Sequence, residues 1–381
     1  MNVLFLSSWY PNRTSVNNGN FVARHAQAIS KYCNVFVIHI TTDDSIDRIE
    51  FTEEVINNVT TFIIYIPPCN CKVSLFEKLW KLQKVKKLYF KAFEKLQNRY
   101  GKIDLIHANI IFPISIIASA LKRKYNIPVI ITEHSSRYLL QNQHKLTFIE
   151  KYITRKNAKE ASVICPVSDN LRSSIESFGI KENFEVIPNC VDEQLFKEKT
   201  SRSGKIRLLH ISSLSENVKN ISGILDSILL LKAIRDDFSM TIVGDANIIS
   251  TKEMITKLRL DKIVIVKEEK TIEEIAQIMM CHDIFVLFSH YENLPCVIAE
   301  SHVCGVPVIS SDVGGINEMI DVKNGILVPP NNIEIFVDEL NNMMNNLSYY
   351  NSSEIREKSI ERYSYDVVGK QYYQLYKSII M

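Results

Sequence analysis

The sequence predicts an α/β protein with two domains, each built around a parallel sheet. The 381 residues exceed what one hydrophobic core usually organises, and 46% of them are apolar, which is enough for two cores. Short apolar runs alternate with helical patterns along the whole chain. Such alternation is typical of parallel strands that are joined by right-handed helical crossovers.

The first half contains apolar runs of strand length, at 2–8, 33–40, 60–67, 103–109, 128–134 and 162–168. Helices are predicted near Val22–Ser30 and over 169–175, the latter starting after Ser168. Before the first of these helices, Asn18-Gly19-Asn20 permits left-handed backbone and close backbone approach. A phosphate or sugar of a ligand could therefore lie against Gly19.

A long helical pattern covers Ser74–Tyr100. Its apolar positions repeat at threes, fours and sevens, at Leu75, Leu79, Leu82, Tyr89, Phe93 and Leu96. The opposite face is basic, since residues 72–99 contain nine Lys or Arg and two Glu. Two interpretations stay open: a solvated surface helix, or a patch that meets an anionic membrane surface or an anionic acceptor.

A domain boundary is predicted after residue 192. The segment 184–192 is followed by a polar run, 197–205, of the kind that links domains. The predicted domains are then 1–192 and 193–365. The second half continues the alternation, with strands at 205–213, 239–245, 262–268 and 283–289 and helices at 221–234 and 271–281.

Residues 288–319 form the stretch in which we expect the chemistry. The runs that end at Ser289 and at Ser311 are predicted to be buried strands. Between them 297–304 is predicted as a short helix, because Gly305 suits the left-handed residue after a helix and Pro307 prevents continuation. The loops of such a strand–helix–strand unit lie at the sheet edge where open α/β sheets bind ligands.

Two carboxylates in this stretch, Glu292 and Glu300, are candidate ligand contacts. Glu292 lies in the loop that enters the helix, where it can reach polar groups of a ligand, whereas Glu300 lies inside the helix and can receive two vicinal hydroxyls. A lone glutamate is usually only solvated. Here Asn293, Leu294 and Pro295 lie between the two, and their loop offers backbone N–H groups at a helix N-terminus, which is a natural anion site.

Composition excludes several classes of protein. A net charge of +2 gives no general surface for nucleic acid, although residues 1–195 carry 25 Lys or Arg against 18 Asp or Glu. The eight cysteines lack metal-binding spacing, which is typical of reduced thiols in a cytoplasmic protein. The start of the chain lacks a basic segment and is predicted as a strand, not a signal peptide. The longest apolar stretch, 110–121, is too short to span a bilayer.

The spacing Glu292-x7-Glu300, with CGVPVISSDVGGINEMI after it, resembles the family 4 retaining glycosyltransferases of GT-B fold, and the resemblance covers nearly the whole chain. It implies two Rossmann-like domains that face each other across a cleft, with the last helix, 366–381, packed back on the first domain. It also implies transfer of a sugar from a nucleotide-diphosphate donor, with a UDP-sugar favoured over a GDP-sugar. The expected acceptor is a saccharide or a lipid-linked saccharide in surface polysaccharide or glycoconjugate synthesis, at the inner face of the membrane.

The resemblance also assigns roles to residues. It implies that Glu292 holds a hydroxyl of the donor sugar, that Glu300 holds the ribose, and that His134 lies near the donor sugar. It places Lys219 at the diphosphate, and Ser213 where the family usually has an arginine. His107 and His134 are both predicted at strand tips, and Gly19, Asn293, Leu294 and Pro295 are expected to line the donor site.

No metal or other cofactor is expected. A metal-dependent glycosyltransferase of the other main fold holds its ion with Asp-x-Asp, and that motif occurs nowhere in this chain. The remaining ways to stabilise a departing diphosphate are cations, helix N-termini and backbone N–H groups. Lys219, the turn at 293–297 and Gly314-Gly315 offer these.

Two other functions remain as alternatives. One is a catalytically silent partner subunit that only binds a nucleotide sugar. The other is a nucleotide-sugar 2-epimerase, which uses a similar two-domain frame, although the Glu pair and the Ile-Pro-Asn segment at 187–189 argue against it. A two-domain solute-binding protein is disfavoured because no export signal is visible.

Overall fold

The computed structural model describes residues 1–68, 75–181, 183–200 and 204–380, with no side chains described for 75–82. The chain forms two compact units. The first unit consists of Met1–Cys190 and Tyr365–Met381, and the second of Val191–Ser364. The sequence predicts the boundary after residue 192 and assigns the terminal helix to the first domain.

The first unit is built on a seven-stranded sheet. Its strands are β1 (Asn2–Ser7), β2 (Asn34–Thr42), β3 (Glu50–Ile56), β4 (Val59–Ile66), β5 (Leu105–Asn109), β6 (Val129–Glu133) and β7 (Val163–Pro166). Their order across the sheet is β3-β4-β2-β1-β5-β6-β7. Only the pair β3–β4 is antiparallel.

Helices pack against this sheet. They are α1 (Asn20–Ser30), α2 (Leu75–Tyr100), α3 (Ser115–Tyr125), α4 (Phe148–Ala158), α5 (Asp169–Ser177) and, at the end of the chain, α13 (Tyr365–Ile380). The helix α13 contributes Val368, Tyr372 and Tyr376 to the core that contains Val3 and Phe5 of β1. The last helix is therefore an integral part of the first unit.

The second unit is built on a six-stranded parallel sheet. The strands are β8 (Ile206–Ser212), β9 (Phe238–Gly244), β10 (Val264–Lys267), β11 (Ile284–Leu287), β12 (Val308–Ser311) and β13 (Gly325–Val328). The helices are α6 (Glu216–Lys219), α7 (Ile221–Ile234), α8 (Ile248–Lys257), α9 (Ile272–Met280), α10 (Cys296–Val303), α11 (Ile333–Asn345) and α12 (Ser352–Tyr363). The strand order is β10-β9-β8-β11-β12-β13.

Both sheets have a topological switch point. In the first unit the chain builds outward from β1 in one direction and then resumes beside β1 with β5. In the second unit β8 and β11 have the same relationship. The loops that leave the two strands at such a point diverge, and the crevice between them is where doubly wound sheets bind ligands. The predicted fold class, two Rossmann-like units with parallel sheets, is confirmed.

The amphipathic prediction for the long helix is confirmed where α2 is described. Tyr89, Phe93 and Leu96 are buried, whereas Lys87 and Lys91 are exposed. The predicted apolar positions Leu75, Leu79 and Leu82 and the start at Ser74 lie outside the described residues or side chains. None of the helices in the described part of the chain is both long and apolar enough to cross a membrane.

Candidate active site

The switch point of the second unit brings together the loops that carry Lys219 and Glu292. The backbone N–H of His290 donates to the carbonyl of Val218 at 2.9 Å, which joins the loop after β11 to the short helix after β8. Asn220 Nδ2 donates to the carbonyl of Phe288 at 3.1 Å. Because β8 and β11 are neighbouring strands, residues 73 positions apart in the sequence meet at one sheet edge.

Lys219 and Glu292 form an ion pair at this edge. Lys219 Nζ lies 2.5 Å from Glu292 Oε1, and the two side chains are 16% and 9% exposed. The hydroxyl of Ser289 donates to the same carboxylate oxygen at 2.8 Å. The second oxygen, Oε2, receives no hydrogen bond from the described residues. The site thus fixes the carboxylate through one oxygen and leaves the other to accept from a ligand.

The turn at Gly314-Gly315 packs against the loop that carries Glu292. Gly314 has φ of 61°, and a Cβ there would lie 1.9 Å from the carbonyl oxygen of Glu292. The N–H of Gly315 donates to the carbonyl of Asn293 at 2.9 Å. Any side chain at position 314 would displace the loop that holds the carboxylate, so the glycine is required by close packing as well as by its left-handed backbone.

The remaining donor-site candidates of this unit lie along the same loop and in α10. Pro295 is the N-cap residue of α10, so the N–H groups of the first turn follow directly after it. Leu294 is only 4% exposed, so only its backbone can meet a ligand. Glu300 lies in the middle of α10 and is 3% exposed. Gly305 has φ of 71°, which confirms the predicted left-handed residue at the helix end.

Ser213 directly follows β8 and is exposed. The next residue, Leu214, adopts φ of 52° and buries its side chain, so the chain turns sharply between Ser213 and α6. The serine and Lys219 therefore lie in one connection at the carboxyl end of β8. Where the resemblance leads us to expect an arginine, Ser213 offers a single hydroxyl and no charge.

In the first unit, Gly19 and His134 lie at the same sheet edge. Gly19 is the N-cap residue of α1 with φ of 71°, and a Cβ there would lie 2.3 Å from the carbonyl carbon of Trp9. The Trp9 and Phe21 rings lie 6.1 Å apart, and the Phe21 and His134 rings 4.6 Å apart. The glycine lets α1 start against the loop after β1, and that packing places Phe21 beside the histidine.

His134 follows β6 directly, as predicted for a residue at a strand tip. Its Nδ1 lies 3.1 Å from Asn189 Oδ1. An amide oxygen can only accept, so Nδ1 carries the proton and donates. Burial, and then the nearby His25, hold the pKa of His134 well below its usual range. The imidazole is therefore neutral, with Nε2 as its acceptor nitrogen.

The prediction for His107 is wrong. The residue lies inside β5, two positions before the strand ends, and is fully buried. Its Nδ1 and Nε2 lie 2.6 Å from Tyr376 Oη and 2.7 Å from Thr132 Oγ1. Burial lowers the pKa of His107 well below its usual range. The predicted run, 103–109, ends where β5 ends, so His107 lies within the strand and not at its tip. Its ring is part of the polar contacts that hold α13 against the sheet.

Sequence reasoning also missed three residues that shape the two sites. Ser289 orients Glu292, Asn220 joins the loops after β8 and β11, and Asn189 fixes the tautomer of His134. Serine and asparagine are common in loops, so nothing in their type marks them. Their position directly after a buried run or before a helix was the available signal.

Comparison with known proteins assigns the chain to a family. Residues 20–195 match the family described as Glycosyltransferase Family 4, and residues 205–346 match Glycosyl transferases group 1. An uncharacterized glycosyltransferase of Methanocaldococcus jannaschii is 28% identical over 360 residues, which are 91% of this chain and 89% of the relative.

Solved structures agree in fold. Sucrose-phosphate synthase from Thermosynechococcus elongatus superimposes with a TM-score of 0.79 at 16% identity, covering 100% of this chain and 99% of that one. HepE of Anabaena in complex with UDP-glucose gives a TM-score of 0.77 at 18% identity, covering 99% and 100%. The predicted GT-B fold class is thereby confirmed. With matches to both family descriptions and glycosyltransferases among its relatives, the chain belongs to the group 1 glycosyltransferases, family 4.

Proposed function

We propose that this glycosyltransferase moves a sugar from a UDP-sugar to a saccharide or lipid-linked saccharide, with retention of anomeric configuration, in surface polysaccharide or glycoconjugate synthesis. The observation that carries the proposal is the pairing of Lys219 with Glu292 at the switch point of the second unit. A UDP-sugar is favoured over a GDP-sugar as donor, in line with the UDP-glucose held by HepE of Anabaena.

The ion pair suits a donor that carries a diphosphate beside a sugar. An ammonium group has three N–H donors, so Lys219 can keep its bond to Glu292 and still donate to phosphate oxygens. Glu292 Oε2 can accept from a sugar hydroxyl. When the bond between the anomeric carbon and the phosphate oxygen breaks, the electron pair goes to that oxygen. Lys219 and the N-terminus of α10 supply positive potential for it.

The other candidates take roles that follow from their chemistry. The neutral ring of His134, which is half-buried, is assigned to the neighbourhood of the donor sugar. Glu300, buried in α10, is assigned to the two ribose hydroxyls. The backbone N–H groups around Asn293 and Pro295, with the hydroxyl of Ser213, are assigned to phosphate oxygens, and Gly19 to close approach of the ligand.

The basic face of α2 is the proposed contact with an anionic surface. Lys84, Lys87 and Lys91, at helical spacings of three and four, are exposed on one side of this helix, and Lys86 is exposed as well. Basic residues near a cytoplasmic membrane surface contribute roughly 1 kcal/mol each through attraction to anionic lipids. A lipid-linked acceptor would bring the enzyme to such a surface, as a peripheral protein on the inner face.

A donor-hydrolysis assay tests the proposal. We expect at least one member of a panel of UDP-sugars to release UDP slowly without acceptor, and GDP-sugars to react less. Binding of UDP, read as a rise in melting temperature, should accompany it. Binding of UDP without release of UDP from any donor would indicate the silent partner subunit. Appearance of a C2-epimerised sugar would indicate the epimerase.

The same assay tests metal independence, which we propose because the chain lacks Asp-x-Asp and offers Lys219 instead. Release of UDP should be unchanged within error after treatment with EDTA and on addition of Mg²⁺ or Mn²⁺. Full loss of activity on chelation, with recovery on adding back the ion, would contradict this.

A further inference from the structure

In helix α4 small or polar side chains are buried and large apolar side chains are exposed. Its inward positions are small or polar, with Thr154, Asn157 and Ala158 buried. Its outward side carries large apolar residues in the first turn and a half: Phe148 is 83% exposed, Ile149 66% and Tyr152 60%. Tyr152 lies three positions after Ile149 and four after Phe148, so the three side chains form one patch on the helix surface. Surface helices of globular proteins normally show the opposite arrangement.

The orientation of α4 is fixed by its N-terminus. Thr147 and Glu150 form a reciprocal capping box. The carboxylate of Glu150 also pairs with Arg137 Nη2 at 2.9 Å, in the segment that leaves β6. These contacts turn Glu150 toward the body of the unit, and Phe148, two positions away on the helix, therefore points outward. The apolar exposure thus follows from specific polar contacts.

The patch lies at the carboxyl edge of the sheet. The chain leaves β6 at that edge, and α4 must run back to the other edge before β7 pairs parallel with β6. The first turn of α4 is accordingly at the edge where His134 and Gly19 lie. Arg137, which contacts this first turn, is three residues from His134. The patch therefore borders the site of the first unit.

The basic part of α2 reaches the same edge. The backbone carbonyl of Tyr100, at the C-terminus of α2, accepts a hydrogen bond from Asn2 Nδ2 at the start of β1. The Tyr89 hydroxyl donates to the carbonyl of Ser7 at the end of β1. At 1.5 Å per residue, Lys84–Lys87 lie about 3 to 8 Å beyond Tyr89 along the helix axis. Lys145, which directly precedes the apolar patch, is exposed as well. Apolar side chains and cations thus share one edge.

We propose that Phe148, Ile149 and Tyr152 insert into the interfacial region of an anionic lipid bilayer, with Lys145 and the lysines of α2 at the headgroups. This inference rests on the proposed membrane-linked acceptor and specifies the anchor. Phenylalanine and isoleucine gain from leaving water, tyrosine suits an interface with one apolar and one wet side, and lysines meet anionic headgroups. A second protein copy would supply no reason for the surrounding positive charge.

Depth-dependent quenching tests the insertion directly. In full-length Trp9→Phe/Trp80→Phe protein, which has no other tryptophan, Phe148→Trp should show a blue-shifted emission that brominated lipids quench in phosphatidylcholine vesicles containing phosphatidylglycerol. The matched control is Ile249→Trp in the same background, because Ile249 is equally exposed, at 76%, on α8 of the second unit. Quenching of the control alone, or of neither tryptophan, overturns the proposal.

Sedimentation with the same vesicles gives the affinity. Phe148→Ser/Ile149→Ser should lower the partition coefficient at least about tenfold, since each large apolar side chain contributes through the area it removes from water. Ile249→Ser should leave the partition coefficient unchanged. Donor hydrolysis should be equal in all three proteins, which separates failure of the anchor from failure of the proposed function. Equal pelleting of both variants, or conversion of a dimer to a monomer by the double change, overturns the proposal.

Discussion

Replacing Lys219 by alanine should lower turnover by on the order of 10²- to 10³-fold or more, the usual effect of removing one group that stabilises a departing anion. We expect the effect at the upper end because Ser213 brings no charge where the resemblance implies a second cation, so that Lys219 is proposed to carry more of the charge on the diphosphate. Turnover of the best donor under saturating conditions measures it.

The ion pair makes a stability control necessary. Lys219→Ala leaves the mostly buried carboxylate of Glu292 without its cation, which typically costs about 3–5 kcal/mol. Lys219→Ala/Glu292→Gln should recover much of the melting temperature without recovering turnover. Ser213→Arg, at an exposed position, should be tolerated or should tighten donor binding. Near-normal turnover of folded Lys219→Ala would mean that the diphosphate is held elsewhere.

The two glutamates should separate into two functions. Glu292→Gln should reduce turnover strongly with little change in UDP affinity, because its free oxygen is assigned to the sugar. Glu300→Gln should weaken UDP binding, because its carboxylate is assigned to the ribose. Removing one acceptor from a buried hydrogen-bonded pair costs about 1–3 kcal/mol, which is roughly a 5- to 150-fold change in the affected constant.

Titration calorimetry with UDP and with UDP-sugar on both variants distinguishes the roles. The matched comparison is between the two Gln substitutions, which remove the same charge from residues of similar burial in one unit. Equal losses of UDP affinity in both would contradict the assignment. Retained turnover in Glu292→Gln would remove this residue from the reaction.

Much of the fold was readable from local patterns, and the exceptions have physical reasons. The ends of α10 were predicted to within one residue because Gly305 and Pro307 are specific helix-ending signals. The strand β3 was missed. It pairs with β4 through Asn57 and Asn58, both with positive φ, which is the turn that a tight hairpin needs. Two consecutive asparagines were the signal, but the glutamates of β3 hid its alternation.

The candidate site was readable only in part. Glu292 and Glu300 could be recognised because they occur at a fixed spacing from each other and are followed by Gly314-Gly315. The contact of Glu292 with Lys219 depends on β8 lying beside β11, which no local pattern states. The role of Ser289 depends on the same three-dimensional proximity. The exposed patch on α4 could not be predicted from local sequence patterns either, because its exposure follows from the contact between Arg137 and Glu150.

The measurement that tests the central claim most directly is proton NMR of the first sugar formed when the wild-type enzyme hydrolyses an α-linked UDP-sugar without acceptor. We expect the α-anomer to appear first and then to mutarotate, and we expect Glu292→Gln and Lys219→Ala to abolish its formation. First appearance of the β-anomer, or undiminished release of sugar by the folded variants, would contradict a retaining site built on Lys219 and Glu292.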